Sequence, residues 1–232
     1  MKVVQDSERL QKYADQYGLE KVFTEASKRK MNLWKFEKGD ILCSRGEQLD
    51  HMYFLVSGKV KIFTVSPEGK ALIVRFKTPF AIIGDVEYVK GTELFHTVEA
   101  VNEGYMISLS FQDLRNYEDS HVPFLHFLLD VVTHKFYTES QATTLNMLYP
   151  VDVRLASYLL SLTDDGKESL YHKEMHTSTL QEIAEVIGTS YRHLNRILLS
   201  FHERGIIRRE KGAIEILNLE LLRERAKGNI YE

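Results

Sequence analysis

The sequence has one cysteine, Cys43, in 232 residues. One thiol cannot build an internal disulfide framework, a multi-cysteine zinc site or a four-thiolate iron–sulfur cluster. Prolines number 4 and glycines 13, too few for a fibrous repeat or a Pro/Gly-rich disordered chain. No apolar run reaches the roughly 18 residues of a membrane span. The first stretch, MKVVQDSERLQKYADQ, lacks the apolar segment of a secretion signal. These absences lead us to expect a soluble chain in a reducing cytoplasm. Neither charge sign dominates, since 30 basic residues meet 33 acidic ones for a net −3. The whole chain therefore lacks the basic excess of many nucleic-acid binders. A global figure averages over domains, however, and local patches must be read separately.

What is present is globular, with 44% hydrophobic and 27% charged residues. The length suits two domains at roughly 100–200 residues each. Leu10, Tyr13, Ala14 and Tyr17 recur at helical spacing near the start. From about residue 30 to 110 short Val-, Ile-, Phe- and Tyr-rich runs alternate with turn signals such as Lys38-Gly39-Asp40, Ser57-Gly58 and Ile83-Gly84-Asp85. Turns every 8–12 residues predict a β-sandwich or barrel. Val122 to Leu148 predicts one long helix with Leu125, Leu128, Leu129, Val132 and Phe136 on an apolar face. That face either packs on the chain's own barrel or forms a coiled-coil-like dimer seam through Leu125, Leu128, Val132 and Phe136. Pro150 ends it. We expect three parts: residues 1–120 as a β-roll with flanking helices, 121–149 as the long helix, and 150–232 as a C-terminal domain.

Residues 179–207 read TLQEIAEVIGTSYRHLNRILLSFHERGII. Thr179 and Glu182 have capping-box spacing, Gly188 supplies a bend, and Ser190 offers a second helix cap. Two short helices about a glycine turn predict a helix-turn-helix, whose second helix enters the DNA major groove. Tyr191, Arg192, Asn195 and Arg196 occupy exposed positions at the start of that helix. Arginine can bond a guanine edge with two hydrogen bonds, and asparagine an adenine edge. Thr179, Ser190 and the following basic residues suit phosphates. Between Ser190 and Lys211 six basic residues meet two acidic ones, a local +4. The segment around Arg208, Arg209 and Lys211 predicts two short strands about a basic turn, the wing of a winged helix-turn-helix.

A β-roll, a long helix and a winged helix-turn-helix, in that order, resemble the Crp/Fnr family of bacterial transcription regulators. The stretches that carry the likeness are KGDILCSRGEQLDHMYFLVSGKVKIF at 38–63, VDVRLASYLLSL at 151–162 and TLQEIAEVIGTSYRHLNRIL at 179–198. The SYRHLNR segment is most similar to the YeiL-like branch. The resemblance implies an α+β chain with an antiparallel, cyclic-nucleotide-binding-like jelly roll and a dimerisation helix. It also implies a homodimer on two-fold symmetric double-stranded DNA, acting with RNA polymerase. It further implies an effector region, here Arg75, Gly84, Asp85, Phe95, His96 and Ser140. Members that hold cyclic AMP use a Gly-Glu turn and an Arg-Ser pair. This chain has Gly84-Asp85 and Phe95-His96, and phenylalanine supplies no cation for a phosphate. Cyclic AMP control is therefore not expected, whereas an unidentified small effector remains compatible. Family members also read DNA through an Arg-Glu pair after the serine. Tyr191 and Arg192 stand there, so their operator does not transfer, although Arg196 matches the next arginine.

Other chemistry finds little support. Cys43 in a strand predicts an inert core thiol, although Arg45 nearby could activate it. His172 and His176 lack the zinc-protease order H-E-x-x-H. His121, His126 and His134 predict solvent-facing positions on or beside the long helix. No H-x-H cluster, Walker loop or G-x-S-x-G elbow occurs, so neither an enzyme nor a metal site is expected. The other functional class compatible with the sequence is a ligand- or redox-sensing β-roll that signals mainly through protein contacts.

Overall fold

The computed structural model describes residues 1–65, 71–161, 180–210 and 213–227. The chain separates into two compact units, Met1–Lys135 and Phe136–Glu232. The division falls inside the long helix rather than at its end.

The first unit is two antiparallel sheets. Strands β1 (Lys2–Val4), β2 (Asn32–Phe36), β9 (Gly104–Ser110), β4 (His51–Ser57) and β7 (Ala81–Ile83) form one, in the order β1-β2-β9-β4-β7. Strands β3 (Ile41–Cys43), β8 (Thr97–Ala100), β5 (Val60–Val65) and β6 (Ala71–Lys77) form the other, in the order β3-β8-β5-β6. The expected all-β body is thus an antiparallel roll. Gly104 is forced by its surroundings, because a Cβ there would lie 2.2 Å from the Ser57 carbonyl oxygen. Both faces of the first sheet are covered, which is why β4 reads as a continuous apolar run rather than an alternating one.

One core gathers Phe36, Leu42, Cys43, Leu55, Val60, Val98 and Met106 inside the roll. The other joins the opposite sheet face to helices: Leu33, Met52, Phe54, Ile107 and Leu109 meet Ala14 of α1 (Ser7–Gln16), Phe23, and Leu114 of α4 (Phe111–Tyr117). Phe124 and Leu128 of helix α5 (Val122–Leu148) belong to this second core, with Val131 and Val132 packed against it. Helix α3 (Asp85–Lys90) follows β7 directly, and α2 (Glu25–Lys28) precedes β2.

The second unit holds α6 (Val151–Ser161), α7 (Leu180–Val186), α8 (Tyr191–Glu203), β10 (Ile207–Glu210), β11 (Ala213–Ile216) and α9 (Leu219–Ala226). Helix α9 packs on α6, and Arg225 pairs with Asp152 across that contact. Asn218 caps α9 by accepting from the Leu221 amide at 2.9 Å. None of the described helices is long and apolar enough to cross a membrane.

Candidate nucleic-acid interface and effector region

The paired helices α7 and α8 form because their apolar positions converge. Ile183, Ala184, Val186 and Ile187 bury one side of the pair, and Leu194, Leu198 and Phe201 bury the other. Gly188 sits at φ 65° in the turn, a left-handed conformation that only glycine adopts freely. The Thr189 amide closes the turn on the Ala184 carbonyl at 2.8 Å. The Ser190 hydroxyl accepts from the His193 amide at 3.2 Å, so it caps α8 as its position predicts. At the other end, Ile206 donates to the Phe201 carbonyl and Gly205 to that of His202, both at 2.9 Å. This is a Schellman stop with Gly205 at φ 67°.

Packing of the apolar face leaves a specific set outside. Tyr191, Arg192 and Arg196 are exposed, whereas Asn195 is half-buried and donates its side-chain amide to the Tyr191 carbonyl at 3.2 Å. Leu199, one turn beyond Arg196, is also exposed. A leucine at helical spacing reads as core, so the sequence alone does not single it out. Strands β10 and β11 pair antiparallel with Arg208 opposite Glu215 and Arg209 opposite Ile214. Ile207 and Ile214 are buried, while Arg208 and Arg209 face solvent. Arg208 donates to the Glu215 carboxylate at 3.0 Å. Thr179, Lys211 and the pair His172–His176 lie outside the described residues.

The predicted seam divides. Leu128 is only 8% exposed, and Val132 packs on the same core, so both serve the chain's own roll. Leu125 and Val122 are exposed, Leu129 is 65% exposed and Phe136 is 75% exposed. The outward stripe therefore runs through Val122, Leu125, Leu129 and Phe136. Val122, Leu129 and Phe136 are spaced by heptads. His126 and His134 lie on solvent-facing positions of the same helix.

Among the residues expected to form an effector region, Gly84 takes φ 95°, and a Cβ there would come within 2.8 Å of the His51 carbonyl oxygen. Asp85, 1% exposed, is engaged by Lys135 of α5 at 2.6 Å. Phe95 is 70% exposed and lies near the Arg45 guanidinium, with the half-buried His96 ring edge-on to it. Arg75 pairs in register with Ile62, which pairs with the buried Val98. It therefore shares the face that looks into the roll. Ser140 is exposed on the part of α5 that belongs to the second unit. A separate cavity of about 730 Å³, unforeseen from the sequence, is lined by polar groups including Asp50, His51, Glu87, Gln112 and Arg115. None of the six predicted effector residues lines it.

Cys43 is buried. Burial, then the charges of Glu47 and Glu87, push its thiol up to about 12, which opposes thiolate chemistry. Arg45 does not activate it, since its guanidinium donates to the Thr64 hydroxyl and the Val65 carbonyl. Among the described residues no group of three or more His, Cys, Asp or Glu side chains gathers as a metal site.

A two-sheet roll followed by a paired-helix head with a β-wing is the architecture of a helix-turn-helix transcription regulator. Residues 33–121 match the family model described as a cyclic nucleotide-binding domain, and residues 153–225 match the Crp-like helix-turn-helix domain. The chain belongs to the Crp/Fnr family of transcription regulators. It is similar to Regulatory protein YeiL of Escherichia coli O157:H7, at 28% identity over 82% of this chain and 83% of that protein. It is 26% identical, over 83% of this chain and 87% of the relative, to the CRP-like cAMP-activated global transcriptional regulator of Mycobacterium tuberculosis strain H37Rv. FixK2 from Bradyrhizobium japonicum shares its fold, with a TM-score of 0.69 at 16% identity over 84% of this chain and 96% of that one.

Proposed function

We propose that the chain is a sequence-specific DNA-binding regulator that works as a homodimer on a two-fold symmetric site. The observation that carries this reading is the exposed start of α8. Its Ser190 cap, Tyr191, Arg192 and Arg196 face solvent together, and the same domain carries a wing with exposed Arg208 and Arg209. The free N-terminal amides of a helix and a capping hydroxyl suit a phosphate, while the arginines suit base edges. Thr179 and Lys211 extend the phosphate set in sequence. Asn195 joins the base readers once its bond to the Tyr191 carbonyl is exchanged for an adenine edge.

The exposed stripe Val122, Leu125, Leu129 and Phe136 supports dimerisation through residues 121–149, with residues 1–120 as the sensor-like body and 150–232 as the DNA head. RNA polymerase is the proposed partner on DNA, and the bacterial cytoplasm the proposed location. The protein has no catalytic role in this reading. Cyclic AMP is not its effector, because Phe95 and His96 replace the phosphate-binding pair and the Asp85 carboxylate is already engaged by Lys135. Arg75 is the basic candidate for any other, anionic effector.

The test is selection of duplexes from a random pool by the full chain, followed by titration of the winner. A palindromic winner bound two protomers to one duplex supports the reading, and no enrichment over the starting pool overturns it. Calorimetry with cyclic AMP should show no saturable heat; a saturable isotherm would restore cyclic nucleotide control.

A further inference from the structure

We propose that Lys135 is an internal ligand of the β7–α3 corner, an ammonium that couples this corner to helix α5. Its Nζ donates to Asp85 Oδ1 at 2.6 Å and to the Ile82 carbonyl at 2.8 Å. Asp85 is almost fully buried, and its second oxygen, Oδ2, has no hydrogen-bond partner. A carboxylate removed from water needs a compensating charge, and the Lys135 ammonium supplies it. The carbonyl of Ile82 gives that ammonium a second acceptor. The bond thus has the composition of a small ammonium site, filled by the chain itself.

The corner is built to stay in place. Ile82 and Ile83 pair in register with Phe54 and Tyr53 of β4, and Gly84 is wedged against the His51 carbonyl and the Leu49 side chain. On the same helix, Glu87 has its carboxyl raised, chiefly by burial, with Asp85 adding to the rise and Lys135 opposing it. The ammonium thus acts on two acidic side chains of α3, through a hydrogen bond to Asp85 and through its charge on Glu87. Lys135 is also the residue at which the first compact unit ends. A displacement of the corner accordingly moves the helix where the chain leaves the roll, whether or not any effector binds. The coupling holds independently of the DNA sequence recognised.

Hydrogen–deuterium exchange on the full chain tests this, read in peptides spanning 82–90 and 128–135. Lys135→Ala should raise exchange in both by about tenfold. Because the Lys135 head is partly exposed, added propylammonium should reach the vacated position and restore protection. Tetramethylammonium, which has no N–H to donate, should not. Asp85→Asn should raise exchange in the helix peptide without any response to propylammonium. It also serves as the deciding variant if Lys135→Ala does not fold. Unchanged exchange in the variants, or equal restoration by both ammonium ions, overturns the proposal.

Discussion

Arg196 shows how much a single side chain can report. It is exposed on α8, one turn from Arg192. If it bonds a guanine edge, Arg196→Ala should cost about 1–3 kcal/mol on the selected duplex and relax the preference at one base position. Fluorescence anisotropy on matched and scrambled duplexes separates the two roles, since an equal loss on both makes Arg196 a phosphate contact instead. Its wing counterpart behaves differently. Arg208 is held by Glu215 at 3.0 Å, a surface pair worth little in stability but placed to compete with DNA phosphates. Glu215→Gln should therefore tighten binding to random duplex more than it changes thermal stability. An affinity unchanged at low salt would remove the competition from the account. Cys43 gives a third residue-level expectation. Its folded thiol, at about 12 rather than the ordinary 9.0, stays protonated where the unfolded thiol ionises. The stabilising difference is complete below about pH 9 and is lost as pH rises towards 12. Tyr53, pushed up to about 12 mainly by burial, acts in the same direction from its ordinary 10.0. Urea midpoints measured from pH 8 to 11 should fall, and Cys43→Ala should flatten the first part of that fall.

At the scale of elements, the two faces of helix α5 set different expectations. Leu128→Glu would place a charge in the core that holds Phe124, Phe54 and Leu114, and should unfold the roll. Leu129→Glu changes a residue that is already exposed. It should leave the melting temperature of the roll nearly unchanged while converting a dimer to a monomer in sedimentation; a surviving dimer would place the interface elsewhere. The sequence showed that an apolar face exists, yet it could not assign its two sides, because leucines at 125, 128 and 129 look alike until the barrel occupies one of them. The long strands β4, β5 and β9 were legible through their β-branched and aromatic runs. The helix pair α7–α8 was legible through Gly188, Ser190 and its periodic apolar positions. Helix α3 was not, since Asp85–Lys90 is too short to carry a period and depends on the Gly84 turn for its start. Likewise β1 is a three-residue edge strand whose place is set by pairing with Leu33 and Trp34. The Lys135–Asp85 bond joins residues fifty positions apart, a relation that local patterns do not contain.

For the whole molecule, the net charge of −3 and the proposed DNA-binding role are reconciled by where the charges lie. The segment from Ser190 to Lys211 carries +4, and Arg192, Arg196, Arg208 and Arg209 are on its exposed surfaces. The acidic remainder repels a polyanion and so weakens contact in any pose other than the one that presents this segment. Such a protein should be strongly salt-sensitive and yet poor at indiscriminate binding. If the wing residues Arg208, Arg209 and Lys211 of each protomer neutralise phosphates, a dimer releases counterions at six contacts, for a slope of log K against log salt of about −5. Arg208→Ala should make that slope shallower by about 2 in the dimer, one contact being lost per protomer. Leu129→Glu, by leaving single protomers, should roughly halve it on the same duplex. Titrations at four or more salt concentrations distinguish these cases. A slope near zero in the unaltered protein would mean that the basic segment does not meet phosphates, and the DNA-binding reading would fall with it.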